Sequence, residues 1–186
     1  ILIFYLLLTK RGKKWHNIVM SMSDVDFKIN DVVVHCREGL STIISSSEMN
    51  GKEYFLVKTN RDSEETIYVP KASANTIIRH IMNADEADEI LSFMKTIERD
   101  FNPNTKQRRD AFKRSLSSGD VKEIAYLSVQ LHYYDRLGPE NDVIKLGPVD
   151  LDMLNYARNM LLDELAVTYN KDRNEIHQFI VQKINK

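Results

Sequence analysis

The sequence predicts an α+β protein in which a small antiparallel sheet comes first and an all-α helical half comes second. Between residues 27 and 70, short runs of β-branched and aromatic residues are separated by turn signals. After Pro70 the apolar residues recur with helical spacing, and they come after helix-capping residues. A run of strands succeeded by a run of helices is typical of α+β folds or of two separate domains.

The β half divides into short strands joined by tight turns. Four or five strands are predicted, and the clearest runs are residues 31–35, 42–44, 54–57 and 66–69. Asn50-Gly51 predicts a hairpin turn, and Pro70 ends the last strand because it lacks an N–H for a central ladder. So few short strands predict a small, strongly twisted, barrel-like sheet that needs to pack against the helical half.

The second half shows helix starts and apolar stripes. Helix starts are predicted at Asn83, around residues 102–105, after residues 118–120, at Asp150 and at Asp172. Glu86 and Glu175 each stand three residues after a capping residue, as in a capping box. Residues 72–81 are either a short helix or an irregular link. We therefore predict a sheet domain over residues 23–75 and a helical domain over residues 76–186.

The first 22 residues differ from both halves. Residues 1–8 are wholly apolar, too few to span a bilayer as a helix, and a basic stretch comes after them. The expected natural start is Met20 or Met22, which makes residues 1–22 a disordered or non-native leader. A weak membrane-surface anchor is the alternative.

The net charge of −1 is unevenly distributed along the chain. It divides into +4 for residues 1–22, −6 for residues 23–100 and +1 for residues 101–186, as expected if the two halves meet different partners.

Residue usage argues against an enzyme. The single cysteine, Cys36, excludes an internal disulfide and fits a reducing cytosol. The five histidines show no metal-ligand spacing, and no glycine loop suits a phosphate. We expect no catalysis, cofactor, metal or small-molecule substrate.

One predicted helix is strongly basic. Against the single acid Asp110 it carries five cations, which are Lys106, Arg108, Arg109, Lys113 and Arg114. A local cationic helix in a nearly neutral chain is typical of contact with a phosphate backbone. The alternative is an ordinary solvated helix face.

Ordered motifs in both halves carry a family resemblance. The N-terminal motifs are Phe27-Lys28-Ile29, Asp31, Val33-Val34, Gly39, Glu53-Tyr54, Val57 and Val69-Pro70. The C-terminal motifs are Arg108-Arg109, Ser118-Gly119-Asp120-Val121, Leu131, Asp135-Arg136, Ala157-Arg158 and Glu164-Leu165-Ala166. With this order and spacing, the chain from residue 27 to residue 186 resembles the CarD/CdnL family of bacterial RNA polymerase-binding transcription regulators.

The resemblance implies a Tudor-like β domain that docks on the β subunit of RNA polymerase, as the related domain of transcription-repair coupling factor does. It also implies a helical domain that contacts the backbone of double-stranded promoter DNA and modulates open-complex stability in the cytoplasm. The implied polymerase contacts are Met49, Lys52, Lys58 and Tyr68. The implied DNA contacts are the five cations of the basic helix.

The chain departs from the family pattern at several of these positions. Lys106 stands where the family usually carries a tryptophan that wedges into the minor groove. Tyr133-Tyr134 replaces a basic pair, and Cys36 replaces a proline. Met49 and Tyr68 stand where basic residues are expected to face polymerase. We expect a divergent member, and lysine at position 106 puts bubble-edge stabilisation in question.

Two other functions compete with the bridging regulator. One is a protein-interaction adapter whose helical domain no longer binds DNA, which the missing tryptophan and basic pair favour. The other is a barrel-type RNA-binding module that stacks bases on Tyr54, Phe55 and Tyr68. Because Tyr54 and Phe55 alternate along one strand, one of them is expected to face the core.

Overall fold

The computed structural model describes residues 26–60, 65–137 and 145–184, without the side chains of residues 137 and 184. The predicted leader, residues 1–22, lies outside the described residues. The sequence also predicts a turn over residues 60–63, and residues 61–63 of that stretch lie outside the described residues. Across the described ranges, no helix combines the length and the apolar character needed to cross a membrane.

Five antiparallel strands form the N-terminal sheet. They are β1 (Val32–His35), β2 (Gly39–Met49), β3 (Lys52–Thr59), β4 (Thr66–Pro70) and β5 (Ile78–His80), in the spatial order β4-β3-β2-β1-β5. The hairpin prediction is confirmed, because Met49 pairs with Lys52 and both Asn50 and Gly51 have positive φ. A register shift between Ile43 and Ser45 bends β2.

The link between the halves is ordered and belongs partly to the sheet. A 3₁₀ turn (Lys71–Ser73) and a single helical turn, α1 (Ala74–Ile77), lead into β5. β5 pairs with β1 from Val33 to His35, so the sheet extends past the predicted boundary at residue 75 and ends at His80. The sheet core contains Phe27, Val33, Ile43, Val57, Val69, Ala74 and Ile78.

Five longer helices form the C-terminal half. They are α2 (Ala84–Met94), α3 (Thr105–Ser118), α4 (Val121–Leu137), α5 (Pro148–Thr168) and α6 (Arg173–Ile184). The capping box of Asn83 and Glu86 is present as predicted. The predicted cap at Asp172 is also present, because its side chain accepts the N–H groups of Asn174 and Glu175.

The start of α5 differs from the prediction. Gly147 is the N-cap and Pro148 is the first helical residue, where its fixed φ and missing N–H are tolerated. Asp150 therefore lies inside the first turn, and its carboxylate accepts the N–H of Gly147 at 3.0 Å. The apolar residues that the sequence assigns to the inner face of this helix are Leu151, Leu154, Ala157, Leu161 and Leu165. The last four are buried, and Leu151 is half-buried against the same core.

The two halves meet through specific contacts. Gly119 has φ +67° at the joint between α3 and α4, and a Cβ there would lie 2.7 Å from Cβ of Cys36. Glu164 on α5 is 2% exposed and accepts two hydrogen bonds from Arg79 of β5, at 2.5 and 2.7 Å. It also accepts the N–H of Met82 at 3.0 Å. The Glu164 contacts join the end of the sheet to the helical core.

Candidate binding surfaces

Arg108 of α3 is buried against α5 and does not reach the surface. Its side chain is 2% exposed, and its Nε and Nη2 donate to the carboxylate of Asp150 at 3.3 and 3.2 Å. Its Nη1 donates to the carbonyl of Asn102 at 2.8 Å. These contacts use the guanidinium to pack α3 on α5, so the expected role of Arg108 as a phosphate contact does not fit this structure.

Asp150 is the centre of this cluster. Arg109 also donates to it, from Nε at 3.2 Å and Nη2 at 3.3 Å, although Arg109 is one-third exposed. Burial raises the pKa of Asp150, but the hydrogen bonds from Arg108, Arg109 and the Gly147 N–H outweigh burial and hold the pKa below its usual value. A carboxylate between two guanidiniums leaves the cluster with one net positive charge.

The other three predicted cations face solvent. Lys106, Lys113 and Arg114 are exposed on α3, and within the described parts of the chain none of them forms an ion pair. Positions seven and eight residues apart lie on one side of a helix, so the three side chains share one stripe. The basic stripe is defined here as Lys106, Lys113 and Arg114. Asp110 lies on the same stripe and reduces its charge.

The four predicted polymerase contacts share the outward face of the sheet. Strand pairing places Met49 opposite Lys52 and Tyr68 opposite Leu56, and alternation along β3 puts Lys58 on the same side. Met49 and Tyr68 are 41% and 50% exposed. The outward face is defined here as Met49, Lys52, Tyr54, Leu56, Lys58 and Tyr68. It combines apolar surface with two lysines, which suits docking onto another protein.

The aromatic residues of the sheet fall on opposite sides. Tyr54 and Tyr68 pack edge to face on the outward face, with ring centroids 6.4 Å apart. Phe55 packs against the sheet core, and the Nζ of Lys71 lies 5.1 Å from its ring centroid. The prediction that one of Tyr54 and Phe55 faces the core is confirmed. Phe55 is therefore not on the face that would stack bases in a barrel-type RNA-binding module.

The tyrosine pair on α4 packs inside the protein. Tyr134 is 6% exposed and its ring meets that of Phe101, while the hydroxyl of Tyr133 donates to the carbonyl of Ile97. Both side chains therefore stabilise the helical core. The sequence did not indicate the roles of Asp150 and Glu164, because their partners lie 42 and 85 residues away.

The helical half matches a known family. A family model described as the C-terminal domain of CarD matches residues 89–181, which is half of the 186-residue chain. The chain belongs to the CarD family. A comparison with curated proteins returns no match. As a CarD-like protein the chain is a member of a transcription-factor family whose typical partner is RNA polymerase.

Several motifs shared with the CarD family have structural roles here. Gly119 allows the α3–α4 joint to approach Cys36, and Ala157 is fully buried. Asp135 and Arg158 form an ion pair at 2.8 Å between α4 and α5. In this CarD-family chain the exposed candidates for binding are the basic stripe and the outward face. The described residues contain no group of three or more His, Cys, Asp or Glu side chains that could hold a metal ion.

Proposed function

We propose that this CarD-family chain is a non-enzymatic transcription regulator that bridges RNA polymerase and promoter DNA. The outward face would dock on the polymerase β subunit, and the basic stripe would hold backbone phosphates of duplex DNA without reading its sequence. The observation that carries the proposal is that Lys106, Lys113 and Arg114 remain exposed on one side of α3, inside the region that matches the family model. Phosphate contacts fix position without sequence information.

The outward face supports the first half of this proposal. β4 pairs with β3 alone within the described sheet, and Tyr68 stands exposed beside that edge. An edge strand with an exposed apolar side chain is a common docking surface for a second chain. Lys52 and Lys58 would add charge complementarity to an acidic partner surface.

The experiment compares two sets of substitutions on the full chain. In the first variant Lys106, Lys113 and Arg114 become Gln, and in the second Lys52→Gln is combined with Tyr68→Ala. Binding to a labelled duplex of arbitrary sequence is measured by anisotropy at several salt concentrations, and polymerase binding is measured by pull-down. Each variant is the control for the other because the two sets lie on different domains.

The first variant should lose DNA affinity and keep polymerase capture. Its slope of log affinity against log salt should fall by about 0.9 for each phosphate that is no longer neutralised. The second variant should show the opposite pattern. Equal DNA binding by the unsubstituted chain and the first variant would refute the DNA half of the proposal, and capture unaffected by the second variant would refute the docking half.

A second candidate function is suggested by the burial of Arg108. Arg108 is buried, Arg109 is paired with Asp150, and Asp110 lies on the basic stripe. The positive charge that remains at the surface for contact with DNA is therefore smaller than the five cations suggest. This favours an adapter that binds polymerase while its helical domain serves another partner. Polymerase capture together with no salt-sensitive DNA binding by the unsubstituted chain is the result expected for the adapter.

A further inference from the structure

The start of α5 holds one arginine of α3 in a fixed position next to the basic stripe. Arg109 stands three residues after Lys106 and four residues before Lys113. Positions three and four apart are neighbours on the surface of a helix, so Arg109 borders the basic stripe. Its guanidinium donates to Asp150 from Nε at 3.2 Å and from Nη2 at 3.3 Å. One cation beside the basic stripe is therefore oriented by another helix.

The positive charge of the Asp150 cluster reaches the surface through Arg109. Arg108 and Arg109 share the single carboxylate of Asp150, so the three groups keep one net positive charge. Arg108 is 2% exposed and Asp150 is fully buried, whereas the side chain of Arg109 is 33% exposed. Within the described parts of the chain, neither arginine forms an ion pair with a second acid. An anion that approaches this cluster from solvent would meet Arg109 first.

The contact with Asp150 leaves part of the Arg109 guanidinium available. A guanidinium carries five N–H donors in a rigid fork, and two of those of Arg109 are directed at Asp150. The other three have no hydrogen-bond partner among the described residues. An arginine that is already held in position loses less rotamer freedom on binding a phosphate than an exposed lysine does. Arg109 is therefore better prepared for a phosphate contact than the lysines of the basic stripe.

Gly147, the N-cap of α5, leaves the space that this arrangement needs. A Cβ at Gly147 would lie 3.1 Å from Nη2 of Arg109 and 3.6 Å from Oδ2 of Asp150. The first distance is shorter than ordinary van der Waals contact, so a side chain at position 147 would push the guanidinium aside. The backbone of Gly147 has φ −83° and ψ 170°, a conformation that any residue adopts. The position of Arg109, and not the backbone, therefore accounts for glycine here.

We propose that Asp150 and Gly147 are positioning residues for DNA binding, which hold Arg109 as a preorganised contact for a backbone phosphate at the edge of the basic stripe. This inference rests on the proposed function, because it needs duplex DNA on α3. It goes further by assigning a role in DNA binding to the first turn of α5. A paired arginine would then contribute more to affinity than its partly neutralised charge indicates.

The test measures binding of the full chain to a labelled duplex by anisotropy at several salt concentrations. Arg109→Gln should weaken binding about fivefold at low salt and lower the slope of log affinity against log salt by about 0.9, because one phosphate contact is lost. Arg109→Lys keeps the charge but cannot form the two-pronged contact with Asp150, so it should weaken binding about threefold. Arg114→Lys, at an exposed arginine of the same helix, is the matched control and should bind as the unsubstituted chain does.

Gly147→Ala tests the position of Arg109 without changing any charge. It should weaken duplex binding about threefold and leave the free energy of unfolding nearly unchanged. In a chain that also carries Arg109→Gln, the same substitution should have no further effect, because no guanidinium is left to displace. A merely structural role of Gly147 would instead weaken binding equally in both backgrounds. Circular dichroism checks that each variant is folded.

The outcomes separate this inference from the function on which it rests. Absence of salt-sensitive DNA binding by the unsubstituted chain would overturn both. If the unsubstituted chain binds DNA, unchanged affinity in a folded Arg109→Gln variant would mean that this arginine serves only the contact between α3 and α5. The positioning role would also be overturned if Gly147→Ala had no effect on binding, or had the same effect with and without Arg109→Gln.

Discussion

At the scale of single residues, Asp150 determines where two of the five predicted cations point. Its carboxylate holds Arg108 and Arg109 from α3 at the first turn of α5. A buried guanidinium without its carboxylate partner is costly, because the desolvation of the charge is no longer offset. The stability of the α3–α5 contact should therefore depend on this one side chain.

Asp150→Asn should lower the free energy of unfolding by about 3–5 kcal/mol. Urea denaturation at neutral pH measures the change, and Asp152→Asn, an exposed acid on the same helix, is the matched control. Because the pKa of Asp150 is lowered in the folded protein, its contribution is complete above about pH 4 and is lost as the pH falls through the folded pKa. Equal unfolding free energies for the two variants would contradict this role.

Sequence reasoning found the charge of α3 but not the burial of Arg108. Arg108 stands four residues before Phe112, which is buried, so helical periodicity already assigns both to the same face. The carboxylate that allows Arg108 to be buried on that face belongs to Asp150, which is 42 residues away. Asp150 lies in the first turn of α5, and the sequence placed the start of that helix too far along the chain. Local patterns identify a face, whereas a long-range partner decides whether a charge can be buried there.

His35 is a second residue with a defined electrostatic role. Its Nδ1 accepts the N–H groups of Arg37 and Glu38, at 3.2 and 3.1 Å, in the turn after β1. Burial lowers the pKa of His35, Glu38 opposes this effect and Arg37 reinforces it. The folded state therefore favours the neutral imidazole. The contribution of the neutral His35 imidazole to the free energy of unfolding is complete above about pH 6.5. It is lost as the pH falls through the lowered pKa of the folded state.

His35→Asn should flatten the dependence of stability on pH. The asparagine oxygen can accept the same backbone N–H groups but does not titrate. The loss of unfolding free energy between about pH 7 and pH 5 should be smaller in this variant than in the unsubstituted chain, as measured by urea denaturation. An unchanged pH profile for His35→Asn would count against the proposed role.

At the scale of elements, α3 has two sides with different functions. The side with Arg108 and Phe112 packs inward, and the other side carries the basic stripe. The single acid of the helix, Asp110, lies four residues after Lys106 and four before Arg114. Positions four apart are neighbours on a helix surface, so this carboxylate partly offsets the potential that would attract phosphate.

If α3 contacts DNA, Asp110→Asn should strengthen that contact. Removing one exposed carboxylate from the basic stripe should tighten duplex binding about two- to fivefold at low salt, with a smaller gain at high salt. Anisotropy with the same labelled duplex measures the effect. Glu89→Gln on α2 makes the same charge change away from the stripe and should have little effect. Equal gains in both variants would show that only net charge matters.

Elements with local signals were the most predictable. The Asn50-Gly51 hairpin and the caps at Asn83 and Asp172 depend on residues within a few positions of each other. β5 was not predicted, because its three residues form a strand only by pairing with β1, which is its neighbour in the sheet but lies more than 40 residues earlier in the sequence. The sheet therefore extended further than the sequence indicated.

At the scale of the whole molecule, a bridging protein needs its two surfaces held in a fixed relation. The outward face lies on the sheet domain and the basic stripe lies on the helical domain. The contacts that join the domains include Glu164 with Arg79 and Met82, Gly119 against Cys36, and the hydroxyl of Tyr156 donating to the carbonyl of Arg37. Glu164 provides the charged contact among them, and it is almost fully buried.

Glu164→Gln should loosen the junction without unfolding either domain. The amide cannot accept both hydrogen bonds from Arg79, and the lost charge pairing should cost about 2 kcal/mol, less than for a fully buried pair because Arg79 is one-third exposed. Each domain has its own apolar core, so both should stay folded. Limited digestion with trypsin should therefore cut faster after Arg79, because its guanidinium has lost its partner on α5 and β5, which carries it, is an edge strand of the described sheet. Glu175→Gln on α6 is the matched control.

If both variants were cleaved at the rate of the unsubstituted chain, the junction would depend on the Gly119 and Tyr156 contacts. Gly119→Ala, which places a methyl group against Cys36, should then be the substitution that separates the domains.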